Sequence, residues 1–313
     1  MSDIRLFAAL KSGKGCVRTN NEDAFYFNGK YAELKDMDQE TTLTDTFQDS
    51  QALFAVCDGM GGYENGEKAS YTAVSRLDQL RQTMRSAAFQ GALIQWVHDT
   101  NKYITETIQD GGCTQALLYF DLNKIYIAHL GDSRVYRVHH GLLSRMTKDH
   151  SKVQVLLDAG ILTEQEAKTY PQRHVITRAF GMNEDENGKC MPTVQEPVMA
   201  ESGDRYMICS DGVTDMLSDD RIGFILSQEK TAADCARAVY QEALDAGGKD
   251  NTSVIVVEVD QYNIEHEKEK IDVLETTLSP EYRHEMPVNI EQMTTIRQPN
   301  GQKVTIRTQI SST

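Results

Sequence analysis

Five aspartates adjoin apolar, strand-like runs, and they are where this sequence could do chemistry. Asp58 closes Leu53-Phe-Ala-Val-Cys57 and is followed by Gly59-Met-Gly-Gly62. Asp211 closes Tyr206-Met-Ile-Cys-Ser210 and precedes Gly212. Asp132 follows Ile125-Tyr-Ile-Ala-His-Leu-Gly131, Asp250 precedes Asn251 and a further strand, and Asp23 follows Asn21-Glu22. Taken singly, an Asp before Gly is an ordinary turn residue. At one edge of a sheet the five would converge, and carboxylates that meet cannot all stay ionised unless cations neutralise them. An all-oxygen donor set selects Mg²⁺ or Mn²⁺. Gly13-Lys-Gly15 lacks the spacing of a nucleotide-binding P-loop.

The elements that must position these residues are legible in outline. Runs rich in Val, Ile, Tyr and Phe at 4–10, 24–27, 52–58, 116–121, 124–130, 133–139, 204–210 and 252–259 predict strands. Tight turns at 120–124 and 139–141 make several of them antiparallel hairpins. Helices are predicted over 69–84, 87–108 and 232–246; Ala92, Leu93, Trp96, Val97, Ile104 and Ile108 give the second its apolar stripe. Strand groups separated by helices suggest stacked sheets covered by helices.

The 313 residues carry 32 Lys plus Arg against 47 Asp plus Glu, a formal charge of −15. Such acidity argues against nucleic acid as the main partner. No apolar run approaches a membrane span, and the first residues lack an apolar signal core. The six cysteines include no Cys-x-x-Cys pair, which reads as small buried hydrophobes in a reducing, cytoplasmic setting rather than a zinc site. The adjacent pair His139-His140 reads as an exposed turn.

Residues 1–260 read as one mixed domain and 261–313 as a C-terminal extension. The acidic stretch 27–50 reads as a solvated loop. In the extension, Ile264, Ile271, Leu274 and Leu278 share a helical face that Ser279-Pro280 ends, and Pro299-Asn-Gly301 signals a β-hairpin. A hairpin alone is marginal in water. The extension therefore reads as a cap on its own chain or as a dock for a partner or second subunit.

In order along the chain stand Arg18-Thr-Asn-Asn-Glu-Asp23, Phe54-Ala-Val-Cys-Asp-Gly-Met-Gly-Gly62, Gly66-Glu-Lys-Ala-Ser70, Gly112-Cys-Thr114, Gly131-Asp-Ser-Arg-Val-Tyr136, Thr147-Lys-Asp-His-Ser151, Thr177-Arg-Ala-Phe-Gly181, Cys209-Ser-Asp-Gly212 and Gly248-Lys-Asp-Asn251. Each is short, but the ordered set resembles the metal-dependent serine/threonine phosphatases of type 2C (the PPM family) in their bacterial form. The resemblance covers residues 6–259. It implies an α+β fold of two stacked antiparallel sheets flanked by helices, a four-layer αββα sandwich with a metal centre at one edge.

The resemblance also assigns roles. Asp58 and the Gly59 carbonyl bind two Mn²⁺ or Mg²⁺ ions, with Asp211 and Asp250 on the second. Asp132 with Asp211 holds the third ion of bacterial members. Asp23 belongs to the metal site mainly through bound water, supported by Glu22 and Asn251. Arg18 grips the substrate phosphate, a task suited to a forked guanidinium. A hydroxide between the two ions attacks the phosphorus of phosphoserine or phosphothreonine in line with the leaving oxygen. Some relatives carry a His general acid where this chain has Met60, so no acid residue is assigned. Cys113 stands where the family has Thr, and Thr252-Ser253 also departs from the pattern. Residues 150–181 resemble the family's flap, with a short amphipathic helix ending near Gly160. Partners are phosphorylated proteins, substrates of an opposing serine/threonine kinase. Two alternatives remain: a catalytically silent sensor or scaffold, and a narrow phosphatase for a partner-switching regulator.

Overall fold

The computed structural model describes residues 3–48, 51–61, 65–84, 88–183, 190–228, 230–262, 292–297 and 303–308. The strands are β1 (Asp3–Gly13), β2 (Asp23–Phe27), β3 (Thr41–Phe47), β4 (Gln51–Met60), β5 (Gly112–Cys113), β6 (Gln115–Asp121), β7 (Lys124–Leu130), β8 (Arg134–His139), β9 (Leu142–Arg145), β10 (Thr193–Val194), β11 (Val198–Met199), β12 (Arg205–Cys209), β13 (Thr252–Tyr262), β14 (Gln292–Arg297) and β15 (Lys303–Thr308). The helices are α1 (Gly66–Ser75), α2 (Leu77–Met84), α3 (Phe89–Thr107), α4 (Lys152–Asp158), α5 (Glu164–Ala167), α6 (Asp211–Thr214), α7 (Asp219–Leu226) and α8 (Ala232–Asp245).

One sheet runs β3-β1-β13-β12-β8-β9 and the other β10-β7-β6-β4-β2, with β11 on β7 and β5 on β4. Their strands pair antiparallel through short turns. Both faces of each sheet are covered, so central strands read as continuous apolar runs instead of alternating ones. In β4, Ala52, Phe54 and Val56 meet Leu6, Ile208 and Ile255 between the sheets, while Leu53, Ala55 and Cys57 face Val74, Leu77 and Leu93 of the helices. Met207, Cys209 and Val256 pack on Val213, Ile222 and Val239 on the far side. This is the αββα sandwich expected. Edge-to-face contacts among Phe27, Phe47, Phe54, Phe120 and Tyr206 fill its middle.

Some expectations need correction. The stretch 27–50 is not simply a solvated loop, because it contains β3, which pairs with β1 from Leu6↔Phe47 to Ser12↔Thr41. Leu43 and Phe47 face the core while Thr42, Thr44 and Thr46 face solvent, an alternation that the surrounding acidic residues masked. The helix predicted over 69–84 is two helices broken at Arg76. The short helix expected before Gly160 is α4, with Gly160 at φ +66° just after it. Among the described residues the six cysteines form no disulfide; five are buried, but Cys16 is exposed.

The chain divides into two compact units, Ile4–Gln261 and a second made of Met1–Asp3 with Tyr262–Thr313. In the second, β14 and β15 form an antiparallel hairpin from Gln292↔Thr308 to Arg297↔Lys303. Gly62 and the helix expected over 264–278 lie outside the described residues.

Candidate metal centre

Both sheets send carboxylates to one edge of the sandwich. Asp23 and Asp58 stand opposite each other in the β2–β4 register. Asp211 opens α6 immediately after β12, Asp132 lies between β7 and β8, and Asp250 lies between α8 and β13. Backbone contacts hold these loops in place. Thr114 donates its N–H to the Asp58 carbonyl at 2.9 Å, and Asp58 donates its own to Thr114 Oγ1 at 3.0 Å. Gly131, at φ +103°, turns the chain just before Asp132 against Thr114, where a Cβ would sit 2.6 Å from the Thr114 side chain. Gly59 lets β4 approach α1, since a Cβ there would lie 2.5 Å from the Gly66 carbonyl and 2.6 Å from that of Glu22.

The electrostatics are those of crowded acids. Burial, then Asp211, Asp23, Asp132 and Asp250, hold the Asp58 carboxyl well above the usual range. Burial, then Asp211 and Asp149, do the same to Asp132. Burial raises Asp211 to about 6, with Asp215 and Asp250 adding repulsion. Asp58 and Asp211 repel each other at this buried edge, so full ionisation of the pair is disfavoured when no cation is bound. Burial raises Asp23 to about 7, opposed by hydrogen bonds from Ser210 and Ser253. Asp23 Oδ1 is buried without a hydrogen-bond partner. An orphaned buried oxygen beside mutually repelling carboxyls is the environment a hard divalent cation relieves, so these residues fit Mn²⁺ or Mg²⁺.

The supporting residues also converge. Glu22 donates its N–H to Asn251 Oδ1 at 2.8 Å and accepts the Gly59 N–H on its carbonyl at 3.0 Å. Asn251 Nδ2 donates to the Asn20 carbonyl at 2.8 Å. Arg18, half-exposed, donates from Nη2 to Asp250 Oδ2 at 2.8 Å. Thus Arg18, Glu22, Asp23, Asp58, Gly59, Asp132, Asp211, Asp250 and Asn251 share one edge. Sequence reasoning missed the hydroxyls beneath them. Ser210 donates to Asp23 at 2.7 Å, Ser253 and Ser12 bond each other at 2.7 Å, and Thr114 and Ser133 do so at 2.6 Å. Their signal was adjacency to the motif aspartates. It also missed His174, which the flap segment places with Nε2 at 3.9 Å from Asp215 Oδ2 and close to Asp211.

The family model described as Protein phosphatase 2C matches residues 27–155. The serine/threonine phosphatase stp of Listeria monocytogenes is 30% identical over 266 residues, covering 82% of this chain and 96% of the relative. The chain belongs to the protein phosphatase 2C family. The serine/threonine protein phosphatase PstP of Mycobacterium tuberculosis is 34% identical over 261 residues, 82% of this chain and 45% of PstP, so the chain spans about half the length of that relative. The solved structure of the M. tuberculosis phosphatase PstP/Ppp superposes with a TM-score of 0.68 at 33% identity, over 82% of this chain and 99% of the other. A PstP catalytic-domain structure in complex with two manganese ions gives 0.66 at 32% identity, over the same 82% and 99%. Type 2C membership and the αββα fold therefore stand on sequence and structure alike. Among the described residues, no helix is long and apolar enough to cross a membrane.

Proposed function

We propose that this chain is a metal-dependent protein phosphatase that hydrolyses phosphoserine and phosphothreonine in proteins. The observation that carries the reading is the convergence of Asp23, Asp58, Asp132, Asp211 and Asp250, with Asp23 Oδ1 unpartnered and Arg18 at the rim. Asp58, the Gly59 carbonyl, Asp211 and Asp250 would hold two Mn²⁺ or Mg²⁺ ions, and Asp132 with Asp211 would hold a third. Ions bound there supply a water of lowered pKa and offset charge on the transferring phosphoryl group.

The chain's own residues do the rest. Asp250 holds the Arg18 guanidinium, leaving further N–H groups to take two phosphate oxygens. Ser210 keeps the Asp23 carboxylate oriented and is itself held by the Ser253 N–H, and Asn251 ties Glu22 to the loop that carries Asp250. Residues 1–260 form the catalytic domain and 261–313 an extension. Cysteines outside any disulfide agree with a reducing, cytoplasmic setting.

The test is Mn²⁺-dependent hydrolysis of a phosphothreonine peptide by the full chain and by Asp58→Asn. Loss of about 10²-fold or more in kcat supports the reading. Equal activity in variant and wild type, or an inactive wild type, would leave the scaffold alternative standing instead.

A further inference from the structure

A second cluster of metal-ligating side chains lies at the other end of two of the same strands. β8 starts at Arg134, just after Asp132, and ends at His139; β12 starts after Asp204 and leads to Asp211. The two strands pair antiparallel from Arg205↔Val138 to Cys209↔Arg134. His139 is therefore seven residues on from Asp132, the last five of them spanning roughly 17 Å of strand.

His139 pairs with Leu142, and His140-Gly141 makes the two-residue turn, with φ +49° and +78°. That turn sets the two imidazoles side by side, with ring centroids 3.9 Å apart. Glu201 reaches between them. Its Oε1 is 4.0 Å from His139 Nε2 and its Oε2 is 4.0 Å from His140 Nε2. The three ligand atoms lie within 4.8 Å of one another. Around a tetrahedral ion with bonds of about 2.0–2.2 Å they would lie roughly 3.4 Å apart, a small closure for exposed side chains.

A buried carboxylate behind the cluster prepares it for a metal. Asp204, whose side chain is 2% exposed, stands with Oδ1 at 2.7 Å from His139 Nδ1. Arg137 Nη2 lies farther from that nitrogen, at 3.1 Å, and donates to Asp204 Oδ2 at 2.7 Å, while the ionised Asp204 can only accept, so the 2.7 Å contact to its Oδ1 calls for an Nδ1–H. His139 therefore donates its Nδ1 proton to Asp204, which leaves the Nε2 lone pair facing Glu201. The same Asp204 accepts the Glu201 N–H on Oδ2 at 3.2 Å, in a turn that Gly203 closes at φ +88°. One buried carboxylate thus orients two of the three candidate ligands, the arrangement that fixes tautomer and ring direction in histidine metal sites.

We propose that His139, His140 and Glu201 bind a borderline-soft divalent ion of the Zn²⁺ class, separate from the Mn²⁺ or Mg²⁺ of the carboxylate edge. Two imidazoles and one carboxylate are a zinc donor set, whereas Mn²⁺ and Mg²⁺ prefer oxygen. Glu201 lies on the connection from β11 to β12, where the chain passes from one sheet to the other, so the ion ties that crossover to the β8–β9 turn.

The test uses the full chain saturated with Mg²⁺, titrated with Zn²⁺ while imidazole nitrogen resonances are followed by NMR. Substoichiometric Zn²⁺ should shift His139 and His140 at Nε2 and leave the other histidines unchanged. His140→Asn, which tolerates the left-handed turn, and Glu201→Gln should each weaken binding about tenfold or more. Neither residue belongs to the carboxylate edge, so phosphopeptide hydrolysis with Mg²⁺ should be unaltered. Unshifted His139 and His140, Zn²⁺ shifts confined to other histidines, or equal affinity in the variants would overturn the proposal.

Discussion

Ser210 gives its hydroxyl proton to Asp23 Oδ2 across 2.7 Å, although 187 residues separate the two in the chain. The bond joins the start of β2 in one sheet to the end of β12 in the other. It also leaves Asp23 Oδ1 as the free, buried acceptor of that carboxylate. Removing the donor with Ser210→Ala should loosen Asp23 and lower metal affinity. The expected size is about tenfold or more in the Mn²⁺ concentration for half-maximal phosphopeptide hydrolysis. Asp23→Asn should move it in the same direction. An unchanged Mn²⁺ dependence in both variants would show that Asp23 does not serve the metals.

The pH dependence of stability follows from the same carboxyls. Asp23 is raised to about 7 and Asp211 to about 6, from an ordinary 3.8. Between about pH 4 and 7 the metal-free native state therefore binds more protons than the unfolded chain, so these groups lower its stability as pH rises through that window. Cations replace the protons and remove the penalty. His150 acts oppositely. Burial, then His129 and Arg178, lower it to about 3, so its contribution is lost as pH falls from about 6.5 toward 3. The histidine contribution is common to both forms and cancels in their difference. The gap in urea midpoint between Mn²⁺-loaded and EDTA-treated protein should widen from about pH 4 to about pH 7. A gap that narrows over this range would contradict the crowded-acid account.

Gly59 sits where strand and helix backbones nearly touch. In Gly59→Ala the new methyl would meet the Gly66 and Glu22 carbonyls at 2.5 and 2.6 Å. Neither is the movable end of a side chain. Separating β4 from α1 should cost about 1–3 kcal/mol in urea unfolding and weaken Mn²⁺ binding as well. Wild-type stability together with wild-type Mn²⁺ affinity would mean that this close approach is not required.

Arg18 is held by Asp250 and retains free donors. Loss of a forked, charge-assisted contact to phosphate should lower kcat/KM about 10–100-fold in Arg18→Ala, chiefly through KM. Arg18→Lys should recover only part of it, because an ammonium keeps the charge but not the fork. Steady-state kinetics on a phosphothreonine peptide decide the matter. Full recovery by Lys would remove the argument for the fork, and an unaffected Ala variant would remove Arg18 from the site.

The sequence by itself determined the family and the identity of the acids. Each of Asp23, Asp58, Asp132, Asp211 and Asp250 adjoins an apolar run, and strands buried on both faces announce themselves by composition. It determined the core strands within a few residues for the same reason. It hid β3, because an edge strand with one solvated face carries only a weak alternation, easily masked by Asp38, Glu40 and Asp45. Only the tertiary structure decided what stands behind each candidate ligand. Ser210 meets Asp23 and Asp204 meets His139 across 187 and 65 residues, and hydrogen bonds between distant strands depend on register, which no local pattern encodes. For that reason the pair His139-His140 read as an exposed turn in the sequence. Folding placed a buried carboxylate behind one imidazole and a glutamate between the two.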